Sequence, residues 1–251
     1  MLLKIYKDYN ELSVRAADEI IELVKRKPDA VLCLAAGDTP RLTYAQVAQK
    51  AGSEQVDFSS VTFIGLDEWV GIAPENQGSC HYFLYQHLFI PLQVTEKQVH
   101  LFNALSTDLA AECSKMDDLI QKLGGIDLML VGIGMNGHIG FNEPGVSLDL
   151  YAHVIDLDAN TQLVGQKYFS ETVSLLQGIT LGLKHFLEAG KAIIIANGTK
   201  KASVIQKAVQ EPVTNQMPAS IIQRHSNGWV MMDEEAASLI AGKTKTTNRP
   251  A

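Results

Sequence analysis

The stretch DLMLVGIGMNGHIGFNEPG, residues 127–145, joins two unlike pieces of sequence. Its first part is a continuous apolar run without alternation, which is how a strand covered on both faces reads. Its second part packs five glycines, Asn136, His138, Asn142 and Glu143 into the fourteen residues 132–145. A doubly covered strand ending in a polar, glycine-rich loop belongs in a parallel sheet, where ligands sit beyond the carboxyl ends of the strands.

The same grammar recurs on both sides. AVLCLAAG (30–37) and VTFIGLD (61–67) precede it as buried strands, and HVIDL (153–157), KAIIIAN (191–197) and GWVMMD (228–233) follow. Between them lie helical patterns. Leu12, Ala16, Ile20 and Val24 recur every four residues from Asn10, a good cap, until Lys27-Pro28 stops the helix. Leu109, Cys113, Met116, Ile120 and Leu123 build another helix that ends at Gly124-Gly125 and makes Cys113 a core residue. Residues 39–50, 199–210 and 234–240 read as helices as well. Strands alternating with helices predict an α/β fold, a Rossmann-like parallel sheet with helices on both faces, within one domain spanning residues 1–251.

Composition narrows the function. The chain has 251 residues, 46% hydrophobic and 20% charged, with 21 Lys plus Arg against 28 Asp plus Glu. A net charge of −7 argues against nucleic acid or an anionic membrane as partner, so any phosphate must be held by a few placed groups. Lys4 and Lys7 interrupt the start before a leader could form, and no apolar run is long enough to span a bilayer. Three scattered cysteines, Cys33, Cys80 and Cys113, fit neither a disulfide framework nor a zinc cluster, so a cytoplasmic setting is expected.

Three strand ends carry candidate chemistry. AAGDTP (35–40) turns from a strand into a helix, so the amides of Gly37, Asp38 and Thr39 can face an anion at the positive end of the helix dipole. A plain capped turn is the alternative, and the Asp38 carboxylate must point away from a phosphate. LDEWVG sets Asp67 and Glu68 at a strand end, where one can act as a general base or, equally, one caps the next turn and the other is solvated. In the third loop His138 supplies an imidazole, a residue type suited to proton transfer, and Glu143 is close enough in sequence to orient its ring. One His and one Glu make a poor metal site, so neither metal nor cofactor is expected.

These segments, together with VTNQMPASIIQRH (213–225), resemble the glucosamine-6-phosphate deaminases and the related galactosamine-6-phosphate deaminase/isomerases from about residue 27 to 233, with NGHIGFNEPG the most specific string. The resemblance implies a hydrolytic deaminase/isomerase that converts a 2-amino-2-deoxyaldose 6-phosphate and water to a ketose 6-phosphate and ammonia. By position, Asp67 matches the base that moves a proton between C2 and C1, and His138 the residue that opens the sugar ring, supported by Glu143 and Asn136. Phosphate contacts fall on Gly37, Asp38, Thr39, Lys167 and Lys201, with Lys200 an eligible neighbour of Lys201. Trp69, the KPDAVLCLAAG lead-in and GITLGL look closer to the galactosamine type, which tilts the expected epimer that way. Homo-oligomers occur among such enzymes, although no apolar stripe marks a surface here, and strong allosteric activation is not expected. The competing readings are a 6-phosphogluconolactonase, which would show Asp-Glu-Arg in place of Asp67-Glu68-Trp69, and a non-catalytic sugar-phosphate sensor, which would carry a DNA-binding segment ahead of the first core strand.

Overall fold

The computed structural model describes residues 1–241. In chain order the strands are β1 (Leu2–Tyr6), β2 (Val31–Leu34), β3 (Thr62–Ile64), β4 (Asp67–Trp69), β5 (Val99–His100), β6 (Leu128–Val131), β7 (His153–Asp156), β8 (Gln177–Thr180), β9 (Ala192–Ala196) and β10 (Gly228–Asp233). The helices are α1 (Tyr9–Arg26), α2 (Asp38–Ser53), α3 (Cys80–Leu84), α4 (Leu109–Lys122), α5 (Ala159–Gly165), α6 (Leu183–Glu188) and α7 (Ala202–Gln210). Seven strands form a parallel sheet in the order β1-β10-β9-β6-β2-β3-β5.

Every residue of β2, β6 and β9 is buried, as their unbroken apolar runs predict. Successive side chains go to opposite cores. Leu32 and Leu34 pack with Ile20 and Val24 of α1 and Tyr44 and Val47 of α2. Val31 and Cys33 face the other way, toward Cys113, Met116 and Ile120 of α4 and Ile205 and Ala208 of α7. Both faces are therefore covered, and Cys113 is a core residue as its periodicity requires. Among the described residues no helix is long and apolar enough to cross a membrane.

The structure corrects several details. VTFIGLD does not run on as one strand. It breaks at Gly65, where an added Cβ would lie 2.7 Å from Leu101, and the chain then leaves the parallel sheet. Beyond the break, β4 joins β8 and β7 in a separate antiparallel sheet, with Asp67 opposite Thr180. HVIDL accordingly becomes β7 of this second sheet and not a parallel strand. Asp8, not Asn10, caps α1 by accepting from the Glu11 amide at 2.9 Å. Residues 199–210 begin as a 3-10 turn (Thr199–Lys201) before α7. Residues 234–240 form successive turns, with Ser238 N and Ile240 N bonding three residues back, because so short a segment gains little from helix propagation and is held by burying Ala236, Ala237 and Ile240.

The junction from β8 to α6 is tight. An added Cβ on Gly182 would sit 2.0 Å from the Leu150 carbonyl oxygen and 2.2 Å from that of Tyr151, backbone that has nowhere to go. Gly182→Ala is therefore expected to lower unfolding free energy by about 3 kcal/mol, measured by denaturant titration at constant m-value; a change below about 0.5 kcal/mol contradicts the packing described.

Candidate active site

The sheet order makes β9, β6, β2 and β3 consecutive neighbours, so the segments that follow them emerge side by side at one edge. Residues 197–201, 132–145, 35–40 and 65–67 are those segments. The sequence-predicted site residues of these four loops thus share one rim, and Lys167 arrives from the end of α5.

The β2–α2 turn places Gly37 at φ 125°, a left-handed conformation that favours glycine. No side chain caps α2, so its first amides are free for an anion. The Tyr9 hydroxyl braces the turn by donating to the carbonyls of Asp38 (3.1 Å) and Thr39 (2.8 Å). The exposed Asp38 side chain points away from the amides and binds Lys167 at 2.8 Å and Arg41 at 3.2 Å. Asp38 thus contributes a backbone amide to the anion site while its carboxylate serves as counter-ion to two cations. Lys167 is 129 residues away in sequence, yet it is delivered to this turn.

Lys201 is half-buried and donates to the Ile133 carbonyl at 2.6 Å, which aims it across the glycine-rich loop. Burial, and secondarily the nearby charge of Lys167, pulls its ammonium down to about 8. Two lysines close enough to repel, beside uncapped helix amides, form an anion site that an arriving phosphate would relieve. Lys200 is exposed, so Lys201 is the inward member of the pair. The turn before it is fixed by Asp233, at the end of β10, whose carboxylate accepts from Gly198 N at 3.0 Å and from Ala236 N at 2.8 Å.

Asp67 and Glu68 have divided their roles. Glu68 is buried and accepts from the amides of Trp69 (2.9 Å), Cys80 (3.0 Å) and His81 (2.8 Å), so it caps α3. Asp67 is half-buried and not solvated. Burial, reinforced by the charge of Glu68, pushes its carboxyl up to about 7, and a hydrogen bond from the Cys80 thiol pulls the other way. A carboxyl poised there can exchange a proton at neutral pH.

In the glycine-rich loop, Asn136 Nδ2 donates to Glu143 Oε2 at 2.8 Å while its Oδ1 accepts from His138 N at 3.2 Å. His138 Nδ1 lies 3.4 Å from Glu143 Oε2 and 3.3 Å from Thr161 Oγ1. Glu143 is only 4% exposed. Burial works against its charge, but the hydrogen bond and charge of His138, with Thr161 and Asn136, outweigh burial and hold its carboxyl below the ordinary value. Asn142 is a brace: Nδ2 donates to the carbonyls of Ile139 and Leu181. The 213–225 stretch supports the loop from outside, through Ala219 N to Gly137 O (2.8 Å) and Gly145 N to Asn215 O (2.8 Å).

Sequence reasoning missed four residues that organise the site. Thr180, wholly buried, pairs with Asp67 across the second sheet and accepts from Phe141 N, three residues beyond His138, at 3.3 Å. Thr161, Asp233 and Arg41 are the others. Thr161, Thr180 and Asp233 reach the site through contacts 23, 39 and 35 residues away in sequence, whereas Arg41 reaches Asp38 across one helical turn. Trp69, in contrast, lies outside the site. It is 6% exposed and packed on Phe141 and Phe169 with ring centroids 4.5 and 6.2 Å apart, so its identity reports packing beneath the site. Among the described residues no group of three or more His, Cys, Asp or Glu is placed to hold a metal ion.

The His138 ring lies over Gly134, where an added Cβ would fall 2.3 Å from Nε2. Gly134→Ala should displace the ring, lowering turnover by about 100-fold while the thermal midpoint stays within a few degrees. Turnover within threefold of the parent would show that the ring position is unimportant.

Residues 7–232 match the family described as glucosamine-6-phosphate isomerases/6-phosphogluconolactonase. A glucosamine-6-phosphate deaminase of Geobacillus sp. (strain WCH70) is 39% identical over 93% of this chain and 93% of its own. One from Lachnoclostridium phytofermentans is 41% identical over 86% of this chain and 92% of its own. A solved monomeric glucosamine-6-phosphate deaminase superposes with a TM-score of 0.92 at 34% identity, covering 95% of this chain and all of the other. The 6-phosphogluconolactonase of Trypanosoma brucei, at 16% identity and a TM-score of 0.73 over 96% of this chain and 98% of the other, shares the fold.

Proposed function

The chain belongs to the glucosamine-6-phosphate isomerase/6-phosphogluconolactonase family, and from that premise we propose that it is an enzyme acting on a C–N bond, a deaminase of 2-amino-2-deoxyhexose 6-phosphates that releases ammonia and a ketose 6-phosphate. The observation that carries this reading is the convergence of a carboxyl raised to about 7, an imidazole with its carboxylate, and a lysine-and-amide anion site on four adjacent strand ends. A lactonase needs an ester-activating base but has no use for a second, separately placed proton carrier aimed at C2.

In this mechanism the amides of Gly37, Asp38 and Thr39, with Lys167 and Lys201, hold the phosphate. His138 takes the proton of the C1 hydroxyl and returns one to the ring oxygen as the C1–O5 bond breaks, leaving an aldehyde. The Glu143 carboxylate stabilises the imidazolium that forms between these transfers, and Asn136 fixes that carboxylate. Asp67 then removes the C2 proton while the substrate's own C2 ammonium gives a proton to O1, leaving an enolamine with a C1–C2 double bond and a neutral amine. Return of the proton to C1 leaves an iminium at C2, to which water adds before ammonia departs. Every step is a proton transfer, the addition of water, or the cleavage of a C–O or C–N bond that a proton transfer accompanies.

The substrate we favour is the glucosamine epimer, in keeping with the names of the relatives. The galactosamine epimer, to which Trp69, the KPDAVLCLAAG lead-in and GITLGL tilted the expectation, keeps only the last two as support, because Trp69 is buried in an aromatic cluster. We further propose a single domain working in the cytoplasm, consistent with three free cysteines; as to assembly, we favour a monomer, in keeping with the monomeric solved relative.

Ammonia release from glucosamine 6-phosphate and galactosamine 6-phosphate, assayed side by side, is expected to be faster with the former; release from neither overturns the proposal. Asp67→Asn should abolish exchange of the C2 proton with solvent and leave substrate binding within about threefold, because the isosteric amide keeps shape and loses the base.

The pH dependence has a defined sign. The carboxylate is the active form, so kcat/KM rises as pH climbs through about 7. The folded value also lies above that of an unfolded Asp, about 4. Between the two, the folded state keeps a proton that the unfolded chain has released, so stability falls as pH rises across that window. In Asp67→Asn this decline should be reduced, as read from denaturation midpoints at pH 5 and pH 8; an unchanged decline contradicts the assignment.

A further inference from the structure

α5 brings into the site a residue that the mechanism above has not used. Thr161 is 7% exposed, and its hydroxyl lies 3.3 Å from His138 Nδ1, on the same side of the ring as Glu143. We propose that Thr161 is a positioning residue for His138, its hydroxyl bridging the imidazole and the Glu143 carboxylate, and that α5 ties this bridge to the phosphate anchor Lys167. The inference rests on the deaminase reading.

The chemistry of a hydroxyl decides how the bridge is wired. It has one proton to give and lone pairs to accept with. Of the two neighbours, the ionised carboxylate is the stronger acceptor, by roughly a factor of two over a neutral partner. Thr161 therefore donates to Glu143 and accepts from His138 Nδ1–H. Glu143 has the capacity, because its Oε2 is engaged by Asn136 while its buried Oε1 has no hydrogen-bond partner, and the Thr161 hydroxyl is among the groups that hold its carboxyl down. With Nδ1 carrying the proton, Nε2 is left bare to take the C1 hydroxyl proton of the sugar. Thr161 thus selects the tautomer that ring opening needs.

The position of the hydroxyl is set by the helix that carries it. A β-branched side chain in a helix has few rotamers, so Oγ1 moves with the backbone. α5 is fixed at its start by Asp158, which accepts from Asn160 N at 2.8 Å, and by Gln162 donating to the Leu157 carbonyl at 2.8 Å. At its end Gly165 packs against Trp69 and Leu175, where an added Cβ would fall 2.6 and 2.9 Å from their side chains. Gln166 then pins the continuing turn through Val173, with Nε2 to Val173 O at 2.7 Å and Val173 N to Oε1 at 3.2 Å. Lys167 follows at once, about 9 Å along the axis from Thr161. One short rigid element therefore holds a phosphate ligand at one end and the orienting group of the ring-opening residue at the other.

The test compares Thr161→Val, Thr161→Ala and Thr161→Ser with the parent chain, using the epimer that the parent deaminates. Thr161→Val keeps the volume and removes the hydroxyl. Expected is a loss of kcat of about tenfold to 100-fold, the equivalent of one hydrogen bond to a charged network. KM should stay within about twofold, and the limb of the pH profile belonging to the His138–Glu143 pair should move. Thr161→Ser should recover most of the parent kcat and its profile. Parent-like kcat and pH profile in Thr161→Val, or in Thr161→Ala should the valine variant unfold, overturn the inference and leave the deaminase reading intact. An equal loss in Thr161→Ser overturns it too, because packing and not the hydroxyl would then matter. A parent chain inactive on both amino sugar phosphates removes the proposed function itself.

Discussion

The hydroxyl of Thr180 is where the two sheets and the glycine-rich loop meet. It accepts from Phe141 N, donates to the Leu181 carbonyl at 3.1 Å, and sits on the strand residue paired with Asp67. Leu181 N bonds back to Leu66 O at 2.8 Å, closing the junction beside the Gly65 break. The Asp67 carboxylate and the His138 loop are therefore held to a common buried point, although 71 residues separate them in the chain. A threonine is well suited to this, because its β-branch favours the strand while its hydroxyl serves donor and acceptor at once. Without that junction the short antiparallel sheet would have no fixed relation to the parallel one, and base and ring-opening residue would have no fixed relation to each other.

Charge is managed by the same economy of placement. The chain is acidic overall, with a formal charge of −7, yet the proposed phosphate site gathers Lys167 and Lys201 near uncapped helix amides. Burial depresses one lysine and raises one carboxylate, so the two kinds of group are most responsive near neutral pH. Before substrate arrives, Asp38 neutralises Lys167 and Arg41. An incoming phosphate has to compete with that carboxylate, which makes the turn selective for a dianion over weaker anions.

Much of the fold was legible because a strand covered on both faces leaves a simple trace. The runs at β2, β6 and β9 are unbroken, and the glycine-rich loop follows β6 directly. The edges were not legible. β1 has only partly covered positions, and β5 is two residues long, so neither shows a periodicity to read. Asp67 was found from its residue type and strand-end place, but its departure from the parallel sheet depends on Leu101 meeting Gly65, a contact no local pattern encodes. Glu68 could have been assigned to either role until two amides of a helix a dozen residues on, those of Cys80 and His81, were found on its carboxylate. Thr161 and Thr180 look like ordinary helix and strand residues; only tertiary packing turns them toward His138 and Phe141.

The proposed chemistry depends on one spatial arrangement, and a structure with an open-chain amino-alditol 6-phosphate bound tests it most directly. The phosphate should lie on the amides of Gly37, Asp38 and Thr39 with Lys167 and Lys201 turned to it and Asp38 released. C2 should then come within about 3.5 Å of an Asp67 carboxylate oxygen, with His138 Nε2 facing O1 or O5. A phosphate held elsewhere, or C2 turned away from Asp67 toward solvent, would contradict the arrangement and the chemistry built on it.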